Sequence, residues 1–112
     1  MNIVSFNGIP RNNQVGDYYR QSKTDCFVIK NTGNYDYNRL IFLHEFIEQW
    51  LTERDGICEP EINAFDAAHA DADEPAMLTD SPYRSQHIFA ELVERLVADK
   101  IGIDFTQYEE SL

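Results

Sequence analysis

Apolar residues in this chain change their spacing at Asn31-Thr-Gly-Asn34, and few folds accommodate the two halves that result. Before that point they come in short runs rich in β-branched and aromatic side chains: Ile3 to Phe6, Asp17 to Gln21 and Asp25 to Lys30, with Cys26-Phe-Val-Ile29 the clearest. Polar residues Asn7 to Gly16 separate the first run from the second, and Ser22-Lys-Thr24 suits a hairpin turn between the second and third. The expectation is a small antiparallel sheet of two or three strands. Beyond Asn34 the period becomes helical. Leu40, Leu43, Ile47, Trp50 and Leu51 recur until Asp55-Gly56 supplies a stop, which predicts a helix over about residues 36 to 55. Pro60 at a first-turn position, followed by Ile62, Phe65 and Ala68, predicts a short helix that gives way to an acidic loop, Asp71 to Asp80. Ser81-Pro82 offers an N-cap and a proline at the first helical position. Ile88, Phe89, Leu92, Val93 and Leu96 then form a stripe ending before Gly102, so a second long helix is expected over about 82 to 101. Ile103-Asp-Phe105 is expected to return to the core with Tyr108 beside it. Strands first and helices afterwards make the fold class α+β. With 112 residues, no internal repeat and no linker, residues 1 to 112 form one domain.

Charge narrows the functions open to such a domain. Nine Lys and Arg face twenty Asp and Glu, a formal net charge of −11, so a phosphate backbone would be repelled and nucleic acid is not an expected partner. No stretch of apolar residues is long enough to span a membrane, because even Leu40 to Leu51 is interrupted by His44, Glu45, Glu48 and Gln49. Met1 to Pro10 has no basic residue before its apolar patch, which argues against a secretory signal and for the cytoplasm. Cys26 and Cys58 lack the paired spacing of a zinc ribbon or redox motif and read as inert thiols. Neither a phosphate-binding glycine loop nor a Ser or Cys nucleophile motif occurs.

What chemistry the chain carries is concentrated on its helices. His44 and Glu48 lie one turn apart, on the border of the apolar face formed by Leu40, Leu43, Ile47 and Leu51. Imidazole and carboxylate are ordinary ligands for zinc and other first-row metals. Glu45, one residue round the helix, is placed to act on a metal-activated water without ligating the ion. The plain alternative is a structural hydrogen bond between His44 and Glu48. On the second long helix His87, Glu91 and Glu94 share one side. That side is opposite the Ile88, Leu92 and Leu96 stripe, so a helix buried by its stripe would leave His87 in solvent. Convergence of the polar borders of both helices, with Ala90 and Ala98 allowing close approach, would instead make His87 the third ligand. His69 and Asp66 are the other candidates for that place. The acidic run after His69 lacks the glycine and terminal glutamate of a calcium loop.

The five residues His44-Glu45-Phe46-Ile47-Glu48 resemble the His-Glu-x-x-His helix of the zincin metallopeptidases, with Glu48 standing in the place of the second histidine. The resemblance implies His44 as a zinc ligand and Glu45 as general base in peptide or amide hydrolysis, with two His and one Glu restored by a later histidine, His87 first. The helix is also similar to that of small uncharacterised bacterial and phage proteins. Two alternatives stand beside this reading. Glu45 and Glu48 facing Glu91 and Glu94 resemble the carboxylate pairs of the all-helical, magnesium-dependent nucleotide pyrophosphohydrolases of the MazG type. Alternatively, the chain is a non-enzymatic acidic interaction protein whose His/Glu cluster is structural.

Overall fold

The computed structural model describes residues 2–112 and shows an α+β domain. Three strands, β1 (Asn2–Ser5), β2 (Gly16–Gln21) and β3 (Thr24–Ile29), precede four helices: α1 (Tyr35–Arg54), α2 (Glu59–Ala68), α3 (Arg84–Lys100) and α4 (Phe105–Glu110). β2 and β3 form the expected antiparallel hairpin. Gln21 pairs with Thr24, so the turn is two residues long, and Ser22 takes the positive φ of 58° that such a turn needs. β1 corrects the expectation of a wholly antiparallel sheet. It runs parallel to β3 on that strand's other edge, pairing Asn2 with Asp25 through Ser5 with Val28, and the sheet is mixed with order β1-β3-β2. The long segment before β2 leaves room for the chain to reach the far edge, which a hairpin connection would not allow.

Local chemistry accounts for the helix ends. Asn34 caps α1 by accepting a hydrogen bond from the Tyr37 amide at 3.1 Å. Gly56 at φ 73° and Gly102 at φ 77° follow α1 and α3 in the left-handed conformation that ends helices. Asp104 caps α4 through the Gln107 amide at 3.0 Å. The proposed Ser81 cap is not used for α3. Tyr83 occupies that position without a side-chain cap, and Ser81 Oγ accepts from the Tyr83 amide instead. The acidic loop contains a single 3₁₀ turn, Pro75–Met77, that buries Ala76.

Helix α1 lies between the sheet and α3 and packs on both. On the sheet side Phe27 stands edge-on to Phe42, with ring centroids 5.4 Å apart, and lies beside Phe46 at 5.9 Å. The main core joins Ile29, Leu40, Ile41, Ala98 and Tyr108, so the C-terminal segment does return to the core, and it does so as a helix. A smaller cluster of Ile62, Ala76 and Tyr83 holds α2 and the 3₁₀ turn against the start of α3. No helix among the described residues is long and apolar enough to cross a membrane.

The second correction concerns α3. Its buried residues are Ala90, Glu94 and Ala98, whereas Ile88, Phe89, Leu92 and Leu96 are exposed. The polar side faces α1 and the apolar stripe faces away, the reverse of the usual amphipathic arrangement. Two fully buried alanines let the helices approach closely, as expected. The surface they approach carries His44 and Glu48, which accept polar neighbours more readily than leucines.

Candidate metal centre

α1 and α3 run antiparallel, with Gln86 hydrogen-bonded to Asp55 near one end of the pair and His44 to Glu94 nearer the other. That pairing brings His87 beside Glu48. His44 Nε2 lies 3.1 Å from Glu48 Oε2 and 3.2 Å from His87 Nδ1, and His87 Nδ1 lies 2.8 Å from the same Glu48 oxygen. Among the described residues, these three form a group able to hold a metal ion. Ligands about 2.0–2.1 Å from a tetrahedral zinc stand roughly 3.3 Å from one another, so a small widening of this triangle would seat an ion.

Around the triangle is a ring of orienting contacts. His44 Nδ1 meets Glu94 Oε1 at 2.7 Å, and the other Glu94 oxygen accepts from the Tyr108 hydroxyl at 2.5 Å. Tyr18, from β2, donates to Glu48 Oε1 at 3.1 Å, leaving Oε2 to the histidines. A carboxylate behind one ring nitrogen fixes the imidazole's orientation and raises its basicity toward an ion at the other. Glu94, expected from the sequence beside His87 or as one of the paired carboxylates of a magnesium site, is thus the partner of His44. Tyr18 and Tyr108 were not foreseen in the site. The alternation of β2 could have placed Tyr18 toward α1, but no local pattern joins Tyr108 to a residue on α3.

Burial alone would lower the His44 pKa, but hydrogen bonds to Glu48 and Glu94 and the nearby negative charges hold it well above the ordinary 6.5. Burial would raise Glu48, yet the hydrogen bonds and charges of His44 and His87 bring it down to about 2. Without metal, therefore, an imidazolium at His44 holds the carboxylates together. Glu45 behaves in the opposite way: burial and the Glu48 charge push its pKa well above the usual 4.5, with His44 opposing. Its carboxyl lines the cleft and lies against Gly16 of β2.

Gly16 makes that position available. A Cβ there would stand 2.7 Å from Glu45 Cγ, 2.8 Å from Ile41 Cγ2 and 2.9 Å from Glu45 Oε1. Gly16→Ala is therefore expected to force α1 and β2 apart and destabilise the protein by about 1–3 kcal/mol, as an overpacked core does. Urea denaturation measures it, and unchanged stability would mean that this contact is looser than described.

A cleft of about 650 Å³ opens over the cluster. Asp17, Glu45, Glu48, Asp66, Glu91 and Glu94 line it together with His44, His87, Tyr18, Tyr83 and Tyr108, and no Lys or Arg joins them among the described residues. Asp66 accepts from the Tyr83 hydroxyl at 2.6 Å and faces the cleft without joining the triangle. His69 is elsewhere: it caps α2, hydrogen-bonds the Phe65 carbonyl at 2.9 Å and stacks on the Phe65 ring. Of the three candidates for the third position, His87 is the one brought to His44 and Glu48. Compared with known proteins, the chain matches no family model, no curated protein and no solved structure.

Proposed function

We propose that this chain is a zincin-like metallohydrolase, with His44, Glu48 and His87 as ligands of one divalent ion, zinc by preference, and Glu45 as the acid–base group. The convergence of two imidazole nitrogens and one carboxylate oxygen within 3.2 Å, with His44 braced by Glu94 and Glu48 by Tyr18, carries this reading. Such a ligand set suits zinc better than magnesium, which prefers oxygen. When bound, the ion would supply Lewis acidity and make water nucleophilic near neutral pH. Glu45 would take and return the proton. Its metal-free pKa is raised by burial among like charges, and a divalent cation nearby would lower it toward the range useful to a base.

The lining bears on the substrate. A cleft walled by carboxylates, with no Lys or Arg among its described residues, attracts positive charge and repels phosphate, which favours peptides or amides carrying basic groups over nucleotides. Glu45, Glu48, Glu91 and Glu94 do line one cleft, the arrangement the magnesium-dependent alternative needs. Glu94, however, is engaged by His44 and Tyr108. The test is elemental analysis of protein purified without a metal-affinity tag, followed by assay of basic peptides with zinc restored. One zinc per chain and zinc-dependent cleavage support the reading. Magnesium-dependent release of pyrophosphate from nucleotides would replace it with the alternative.

A further inference from the structure

The uncovered side of α3 carries four large apolar residues. Ile88 is 39% exposed, Phe89 49%, Leu92 51% and Leu96 63%, while the inner side of the same helix is built on alanine, histidine and glutamate. Large apolar side chains of roughly 200 Å² each, about half exposed, present on the order of 400 Å². That is close to the apolar share of the roughly 800 Å² each partner contributes to a standard protein interface. We propose that this face joins two copies of the chain, α3 packing antiparallel on α3 about a two-fold axis at Leu92.

The pattern on the helix is complementary to itself in that arrangement. Ser85, Phe89, Leu92, Leu96 and Asp99 follow alternating steps of four and three residues, the seam of a paired helix. With the axis at Leu92, Leu92 meets its own copy, Phe89 packs against Leu96 with Ile88 on the flank, and Ser85 meets Asp99 at either end. Arg84 of one copy falls level with Lys100 and beside Asp99 of the other, so each end of the seam carries both signs of charge. The seam itself holds no charge between Ser85 and Asp99. Net charge selects the same face. Two copies at −11 repel, but α3 bears Arg84, Arg95 and Lys100 against one exposed acid, Asp99, while Glu94 is buried and Glu91 turns to the cleft. Repulsion between copies is therefore weakest where the apolar stripe lies. A strongly basic partner would be drawn to the acidic cleft instead.

Sedimentation equilibrium on the full chain, well above micromolar concentration, should give twice the 13.0 kDa chain mass. Association should strengthen with added salt as the mutual repulsion is screened. Leu92→Glu, which places two charges at the axis, should return the single-chain mass with an unchanged circular dichroism spectrum. Should that variant fail to fold, Leu92→Cys in a Cys58→Ser background decides the matter. Mild oxidation should link two copies through residue 92, because only a two-fold axis there brings the residue to itself. A wild-type protein of single-chain mass, a Leu92→Glu variant that keeps twice the mass, or a Leu92→Cys variant that does not cross-link would each overturn the proposal.

Discussion

Zinc at a hundredfold excess over its dissociation constant is expected to raise the melting temperature of the wild-type protein by about 10 °C, and His87→Ala to abolish most of that increment. The first figure follows from linkage: binding only the folded state at that excess adds about 2.7 kcal/mol, and a domain of this size gains roughly 4 °C per kcal/mol. The second follows from the geometry, since His87 supplies one of three converging atoms and ties α3 to α1. His44→Ala should remove the increment too. It also leaves Glu94 buried without its imidazole partner and Glu48 with His87 alone, so its metal-free melting point should fall further than that of His87→Ala, which takes one partner from Glu48 only. Differential scanning calorimetry with and without zinc separates the two effects. An increment in His87→Ala equal to wild type would remove that residue from the ligand set.

The same binding has a defined pH dependence. The folded-state pKa of His44 is raised, so its ion pairs stabilise the metal-free protein fully below the ordinary 6.5, and that contribution is lost as pH rises through the elevated value. Glu48, lowered to about 2, stabilises above its ordinary 4.5 and loses that contribution as pH falls toward 2. Metal needs the neutral imidazole. Below the elevated His44 pKa, zinc must displace that proton, and apparent affinity should fall about tenfold per pH unit for each proton displaced. Calorimetric titration in buffers of different ionisation enthalpy counts the protons released. No release at neutral pH would mean that His44 either is not a ligand or is already neutral before the metal arrives.

Glu45→Gln should lower turnover of a zinc-dependent peptide substrate by about 10²- to 10⁴-fold, the usual contribution of a general acid–base group, while zinc still binds. The variant should also be as stable as wild type or more so. It replaces a carboxyl set among like charges by a neutral group of nearly the same shape. Lost activity together with retained or increased stability marks a residue kept for function, a combination that a purely structural role would not produce. If zinc binding falls in step with activity, Glu45 is itself a ligand, as the carboxylate-paired magnesium site requires. Full activity in the variant would reject its role as base.

Much of the architecture was legible in the residues because it depends on spacing along the chain. Alternating and β-branched runs placed β2 and β3, and helical spacing with Asn34 and Gly56 at its ends placed α1. The α-helical pitch alone puts His44 and Glu48 one turn apart, wherever the helix packs. Other features depended on distant partners. The parallel pairing of β1 depends on which edge of β3 the hairpin leaves open, and no run of residues records that. The orientation of α3 was likewise undetermined by its own sequence. Hydrophobic periodicity identifies an apolar side and leaves open whether that side meets the chain's own core. Here the surface offered by α1 is a histidine and carboxylate cluster, and Ala90 and Ala98 let the polar side of α3 close over it. His87 and Glu94 reach His44 and Glu48 for that reason, across gaps of about forty to fifty residues that only tertiary packing bridges. The attractions that hold the cluster together become strong only once folding brings its members into contact and removes water from between them, so the tertiary structure decided the site and the sequence determined its parts.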